Sequence, residues 1–509
     1  MSAPAAHSAI TNTTKESLMN LHLPDPMGST VGGGYMAYLM AVVFLASAFA
    51  VLYRDRKPEM DRMYPVVNTT KEEYFANGRG MVQRGKEMYG DSPFRVYTGM
   101  GSVLILPPKY ASEIKNDNRF DASKFLLQYW QAGIPGFEPY IALGSDLLHD
   151  VIKLNLTQKA AAALEEILTD SEEWHEIDLN MTMLRITSQS YAGTPKWLDI
   201  TVSYTAKATG AARVLRQYPR FMHKVVHWFL RDCRDLRRMV NEARQTVAPI
   251  LQKRREQKKA QNPAGVQFND SLQWYEDLAS KRGISYDAAT QQIGLSIGAI
   301  LTSTDLVSQA MMDLSRNPDS VEPLKQEIRR VVGDGDFNPT TLHSLKLLDS
   351  ALKETLRIKP VAVVGLGRRV TDNVKLSTGA VLPKESGIAV SAERMWDEKV
   401  YPEPLKYDIY RFLRVRESAG GDGNAREEAA AQLVSTSEDH FGFGLGTHSC
   451  PGRFFGANTV KLVMTHLLMK YEFKPSDGTV VEPLKFGFSM LANPSTKMMV
   501  RRSKKEAGW

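Results

Sequence analysis

The sequence predicts a mostly helical body with a small β part, preceded by one N-terminal membrane-spanning helix. Three observations predict it. A 19-residue stretch without a charge, YMAYLMAVVFLASAFAVLY from Tyr35 to Tyr53, stands near the start. Over much of the chain after about residue 120, charged residues are spaced between apolar ones in a helical pattern. Two regions, around 94–108 and 368–390, instead carry β-branched runs punctuated by glycine and proline turns.

The apolar stretch has the length needed to cross a hydrocarbon core of roughly 30 Å. Tyr35, Tyr38 and Tyr53 at its ends suit the headgroup interface. Arg54, Arg56 and Lys57 follow it, so the excess of cations places everything beyond residue 54 on the cytosolic side. A cleaved signal peptide fits less well, because Arg-Lys-Pro rather than a small-residue cleavage site comes next. The chain thus divides into a lumenal tail over 1–34, an anchor over 35–53 and a cytosolic body over 58–509. Asn12-Thr13-Thr14 in the tail is a glycosylation triplet of a kind common by chance.

Within the body, FRVYTGM and GSVLILPP read as an antiparallel hairpin. Helical pattern follows to about residue 260 and ends in the charge run Gln252–Lys259, read as a solvated face before a turn at 262–265. A long helix is expected from about Tyr286 to Asn317, stopping before Pro318. At 1.5 Å per residue it spans roughly 45 Å, and its apolar middle, IGLSIGAILTSTDLV, says that it is buried. More helix runs through Arg357, and 368–390 reads as short strands. Glu417–Ala431, rich in Gly, Ala and Glu, reads as a flexible surface insertion. No internal repeat is visible.

Of the 509 residues, 43% are hydrophobic and 24% charged, with a net charge of +7. That balance is mild and does not by itself imply nucleic acid. Two cysteines, Cys233 and Cys450, exclude a disulfide framework and a four-cysteine zinc site.

Cys450 closes the string Phe443-Gly444-Leu445-Gly446-Thr447-His448-Ser449-Cys450-Pro451-Gly452, ahead of an amphipathic helix from Arg453 to about Lys470. Three glycines within nine residues let backbone approach something flat. A thiolate just before a helix N-terminus is stabilised by the free N–H groups there, as an anionic axial ligand to haem iron requires. His448 stands where it would reach a haem propionate.

The string fits F-x-x-G-x-H/R-x-C-x-G and resembles the haem-binding loop of the cytochromes P450. The resemblance implies the fold of that family, with Cys450 as the iron ligand of haem b and Phe443, Gly446 and His448 as its cradle. Glu354-Thr355-Leu356-Arg357 matches the family's E-x-x-R, and Tyr407–Phe412 resembles its F-x-P-x-R-F, with Ile409 for the proline and Tyr410 for the acid. Glu354, Arg357 and Arg411 are then implied to form a buried charge network that locks the loop. Gly298–Thr302 aligns with A/G-G-x-D/E-T, which gives Thr302 the oxygen-side hydroxyl, with Ser303 and Thr304 as near alternatives. Leu301 stands where the family usually carries an acid, so protons must arrive by water or through Asp305. His149 and Lys153 occupy the places of W-x-x-x-R and, with Arg369 or alternatively Arg368, are the propionate partners implied.

The resemblance extends over nearly the whole chain, and the segments 215–244 and 136–140 look like fungal enzymes that oxidise terpenoids and other secondary metabolites. It implies an endoplasmic-reticulum monooxygenase fed by an NADPH-dependent reductase and acting on a lipophilic substrate. The apolar pocket would be lined by Val361–Val364, Ile297, Leu301 and the 120–140 loop. A haem-thiolate isomerase or dehydratase that needs no reductase, and a sterol or steroid hydroxylase, are the alternatives.

Overall fold

The computed structural model describes residues 40–42, 44–45, 59–154, 164, 166–191, 195–260, 268, 270–333, 337–421 and 424–504. The chain divides into two units, Met1–Pro58 and Glu59–Trp509. In the first, the described residues are helical, and Met40, Val42, Phe44 and Leu45 are exposed. The tail and most of the expected anchor lie outside the described residues, and among those described no helix is long and apolar enough to cross a membrane.

After a short helix at Glu59–Met63, the second unit continues with α1, Lys71–Tyr89, whose start is fixed by a reciprocal cap: Thr70 Oγ1 accepts the Glu73 N–H at 3.3 Å and Glu73 Oε1 accepts the Thr70 N–H at 3.3 Å. The expected hairpin follows as β1, Phe94–Thr98, and β2, Gly101–Leu106, antiparallel with Phe94 opposite Ile105. After β3, Phe120–Asp121, come α2, Ala122–Tyr129, and α3, Asp146–Leu154. Next are β4, His175–Asp178, α4, Leu179–Tyr191, α5, Pro195–Leu215, and α6, Arg231–Ala260. The charge run at the end of α6 is more than a solvated face. Arg254 pairs with Asp270, Arg255 with Glu276 and Lys258 with Asp277, tying α6 to the helix Ser271–Arg282.

The long helix is α7, Ala288–Arg316, capped by Asp287, whose side chain accepts the N–H groups of Ala289 and Thr290. It is buried along most of its length, as its composition predicts. Gly294 lets it cross the turn Pro139–Ala142: a Cβ there would stand 2.5 Å from Ala142 Cβ and 2.8 Å from the Pro139 carbonyl.

Beyond it lie α8, Lys346–Ile358, and the strands β5, Val364–Val370, and β6, Gly387–Ser391. The supposed flexible insertion is largely helix instead. α9, Arg411–Gly421, and α10, Ala425–Ala430, cover most of it, since alanine and glutamate are good helix formers and Arg416 is drawn inward by Asp349. α11, Arg453–Lys470, keeps its expected limits, but from Ala457 onward it is buried almost all round rather than amphipathic. The strands β7, Tyr471–Pro475, and β8, Lys497–Arg502, end the unit.

The main sheet has the order β1-β2-β6-β5-β3, with β2 and β6 parallel and the other neighbours antiparallel. A register shift interrupts β5 between Gly365 and Arg368, and Leu366 has φ of 50° there. A second sheet, β4-β8-β7, joins the middle of the chain to its end. The largest core cluster lies between α4, α7, α8 and α11, and a second lies under α5, α6 and the first half of α7.

Gly294→Ala forces α7 off the 139–142 turn and costs about 1–3 kcal/mol of stability, read as a lowered denaturant midpoint. Gly210→Ala in α5, where a Cβ meets nothing within 4 Å, is the control. It should leave stability unchanged or raise it by up to about 1 kcal/mol.

Candidate functional site

The loop before α11 folds back on itself. The Cys450 N–H donates to the Phe443 carbonyl at 2.8 Å, the Gly444 N–H to the Phe441 carbonyl at 2.8 Å, and the Ser449 N–H to the Gly446 carbonyl at 3.0 Å. Glycine is required at two points. A Cβ on Gly442 would stand 2.5 Å from Leu356 of α8, and one on Gly446, whose φ is 76°, would stand 2.6 Å from Asn116 and the Lys115 carbonyl. Asn116 Oδ1 in turn accepts the Thr447 N–H at 2.9 Å. Phe443 is half-buried against the largest core cluster. The loop is thus pinned between α8 and the 115–116 turn, with Cys450 three residues ahead of α11.

Burial pushes the Cys450 thiol up, more than the Gly452 N–H and the Arg453 charge draw it down. The helix start contributes as the sequence suggests, but a thiolate here needs a further cation against its sulfur. Cys233 lies fully buried in the second core cluster, and burial raises its thiol to about 11.

Behind the loop, the structure brings Glu354, Arg357 and Arg411 together. Glu354 and Arg357 are fully buried and joined at 2.8 and 2.9 Å, and Arg411 Nε reaches Glu354 Oε1 at 2.9 Å. The remaining guanidinium N–H groups donate to five backbone carbonyls, those of Met395, Pro402, Glu403, Pro404 and Lys406.

Three further residues of α8, which sequence reasoning passed over, extend this scaffold. Lys353 donates to the carbonyls of Ala430, Gln432 and Ser435 at 2.7–3.2 Å. Ser350 accepts the N–H groups of Phe412 and Leu413 at the start of α9. Asp349 accepts the Leu433 N–H at 2.7 Å and pairs with Lys461 and Arg416. Their signal was present: charged residues at 349, 353 and 357 recur every fourth position on a helix with apolar neighbours.

α7 contributes one open face. Between Ala289 and Leu314 only Gly298 and Thr302, one turn apart, are exposed. Thr302 Oγ1 donates to the Gly298 carbonyl at 2.9 Å. Ser303 is buried beside Gly456 of α11, where a Cβ would come within 3.9 Å of its hydroxyl. The Gly298–Thr302 face therefore lies next to the crossing of α7 with the helix that Cys450 precedes. Thr304 is buried, and its hydroxyl is engaged with that of Thr187 at 2.6 Å. Asp305, raised to about 6 by burial, is a strut rather than an open proton source. Its oxygens accept the Ala492 N–H at 2.6 Å and the Gln309 amide at 2.8 Å.

The two adjacent arginines considered as propionate partners are placed differently. Arg369 reaches outward to the exposed Glu385 at 3.2 Å. Arg368 is buried, its Nε finds no partner among the described residues, and burial pushes it down to about 10. The reason is the bulge at Leu366, which resets the alternation of β5 so that residues 366, 368 and 370 face inward. Arg368 Nη1 donates to the Gly367 carbonyl at 2.9 Å, and the unsatisfied Nε–H beside it is a donor that an anionic propionate would satisfy. His448 is exposed at the loop surface. His149 and Lys153 belong to α3, and their side chains lie outside the described residues. A buried thiol needing a cation, a pinned glycine loop and a buried arginine with an unsatisfied Nε–H together fit a haem.

A family model described as Cytochrome P450 matches residues 207–501. Cytochrome P450 monooxygenase 1 of Gibberella fujikuroi is 40% identical over 443 residues, covering 82% of this chain and 99% of that protein. Cytochrome P450 monooxygenase hepE of Aspergillus oryzae is 40% identical over 501 residues, covering 91% of this chain and 90% of that protein. Among solved structures, the retinoic acid-bound cyanobacterial CYP120A1 superposes with a TM-score of 0.60 at 15% identity, over 86% of this chain and 99% of that one. This last likeness concerns the fold alone.

Proposed function

The chain belongs to the cytochrome P450 family of monooxygenases, and from that premise we propose its substrate class, its site roles and its place in the cell. It hydroxylates or oxidises a lipophilic small molecule, a terpenoid or other secondary metabolite, with dioxygen and electrons from an NADPH-dependent reductase. The observation that carries the reading is the pinned Cys450 loop beside the open Gly298–Thr302 face of an otherwise buried helix.

A bound haem supplies oxygen activation: one oxygen atom goes to the substrate, and the other leaves as water with two protons and the two electrons of NADPH. The chain's own residues do the rest. Cys450 would hold the haem iron as thiolate, a cation against the sulfur offsetting its burial. Arg368 and His448 would hold the propionates. The Glu354–Arg357–Arg411 cluster keeps the loop in place. Thr302, whose hydroxyl leans only on the Gly298 carbonyl, turns to donate to a bound molecule and passes a proton. Leu301 and Ile297 keep this face apolar, which excludes bulk water and suits a lipophilic substrate. With Asp305 engaged elsewhere, protons arrive by water.

Residues 35–53 tether this body to the endoplasmic reticulum, with 1–34 in the lumen and 58–509 in the cytosol. The helical, exposed Met40, Val42, Phe44 and Leu45 support the tether, and so do the cations that follow it. Met222, Val225, Trp228 and Phe229 are exposed and suit contact with the bilayer.

Cys450→Ala should abolish both activity and the reduced carbon-monoxide absorbance typical of thiolate haem, while Cys233→Ser keeps both. An unchanged spectrum in Cys450→Ala overturns the reading.

Thr302→Ala should hold haem and substrate yet lose product on the order of a hundredfold, with NADPH still consumed and peroxide accumulating. Thr304→Ala should keep its coupling. The reverse pattern would move the oxygen-side hydroxyl to Thr304.

Arg368→Gln should lower the fraction of purified chains that hold haem, measured as haem per polypeptide, and Arg369→Gln should leave it unchanged. Equal loss in both would remove the distinction that the bulge draws.

A further inference from the structure

A cavity of about 230 Å³ opens between the β1–β2 hairpin tip, the segment after α2 and the segment after α5. Its apolar wall includes Met100, Leu127 and Ile134. Leu127 and Ile134 belong to the same cluster of side chains as Ile297 and Leu301 of α7. The opposite wall is cationic, formed by Arg216, Arg220 and Lys224 beside His223, and no carboxylate among the described residues lines the cavity.

Arg216 is the built part of this wall. Its guanidinium stacks over the Tyr129 ring at 5.0 Å and donates to the Tyr129 carbonyl. No carboxylate pairs with it among the described residues, and its buried Nε has no partner there. Two more buried polar atoms beside it are also without partners: Gln131 Oε1, on the cavity wall, and the Tyr140 hydroxyl, which feels the Arg216 charge. Arg216 Nε and Gln131 Oε1, two orphaned polar atoms on residues that line the cavity, call for a polar group to fill it. The positive field is felt by His223, whose pKa is lowered by burial first and then by Arg220, Arg216 and Lys71.

We propose that this cavity recognises the carboxylate of a lipophilic acid, so that the substrate of the enzyme is an amphipathic acid rather than a neutral hydrocarbon. Arg216 receives the head, its fixed planar fork matching a carboxylate. Arg220 and Lys224 raise the local concentration of anions at the opening. The apolar body lies along Leu127 and Ile134, in continuity with the side chains that reach Leu301. The inference deepens the monooxygenase reading and rests on it for the word substrate, but the binding site itself does not.

The test uses the haem-loaded full chain, titrated with palmitic acid, abietic acid and their methyl esters. Binding is read twice, as the shift of the haem absorbance and by equilibrium dialysis. The wild type should bind at least one acid about tenfold tighter than its ester, and rising salt should erode that preference. Arg216→Gln should weaken the acid about 10- to 100-fold and leave the ester unchanged. Lys224→Gln, at an exposed position, should lower the acid preference by a smaller factor, which keeps the proposal testable if Arg216→Gln folds poorly. An acid preference absent from the wild type, or one that survives both substitutions and high salt, overturns it. So does a parallel loss of acid and ester.

An anionic phospholipid headgroup offers similar chemistry, so both proteins are also floated with phosphatidylserine–phosphatidylcholine vesicles. If Arg216→Gln loses vesicle binding while the acid-to-ester ratio stands, the cavity serves the membrane and the proposal falls. Thiolate-haem absorbance retained in a protein without acid preference overturns this inference alone and leaves the monooxygenase reading intact.

Discussion

Two arginines share one carboxylate, with Glu354 and Arg357 fully buried and Arg411 partly so, and the rest of the site is arranged around satisfying them. Glu354 can neutralise only one of the two cations, so the surplus charge must be dispersed over neutral acceptors. The acceptors are five carbonyls between Met395 and Lys406, a stretch with little regular structure whose backbone would otherwise lack partners. The cluster and the segment are each costly alone and stable together. Removing one member leaves an uncompensated buried charge, which typically costs about 3–5 kcal/mol. That penalty makes the arrangement a lock more than a source of net stability.

The lock reaches the cysteine loop through α8. The same helix that carries Glu354 and Arg357 holds 430–435 through Lys353, the start of α9 through Ser350 and Leu433 through Asp349. Its Leu356 presses against the backbone of Gly442. One face of one helix thus fixes the path of the chain from residue 395 to the loop. Asp349 also pairs with Lys461 of α11, so the helix that follows the cysteine is registered on the same scaffold. In such an arrangement a glycine loop can hold a reactive sulfur in place without a strand or helix of its own.

α7 answers from the other side. It is packed so tightly that Gly294 must be glycine where the helix crosses the 139–142 turn. Its open stretch is limited to one face, and the neighbouring hydroxyl of Thr304 is turned into a hydrogen bond with Thr187. Packing leaves Thr302 available by occupying the alternatives. The basic cavity beyond this face adds a charge pattern that an apolar pocket lacks, with Arg216 braced on Tyr129 at its wall.

The sequence by itself determined which residues are candidates for the centre. The Cys450 string, the Glu354–Arg357 spacing, Arg411, Thr302 and the limits of the long helix are local patterns, and local patterns carry periodicity and motif spacing directly. It misread Glu417–Ala431 because alanine- and glutamate-rich composition serves helix and loop alike until packing chooses, as Asp349 does by drawing Arg416 inward. It offered Arg369 with Arg368 as the alternative, because two adjacent arginines in a strand carry no local sign of which one turns inward. Only the tertiary structure held the bulge at Leu366, a product of pairing with β6, that turns the neighbouring guanidinium inward. It alone brought Arg216 from the segment after α5 against Tyr129 and Gln131 at the end of α2. Which face a side chain takes is decided by partners far away in the chain, and no local pattern records them.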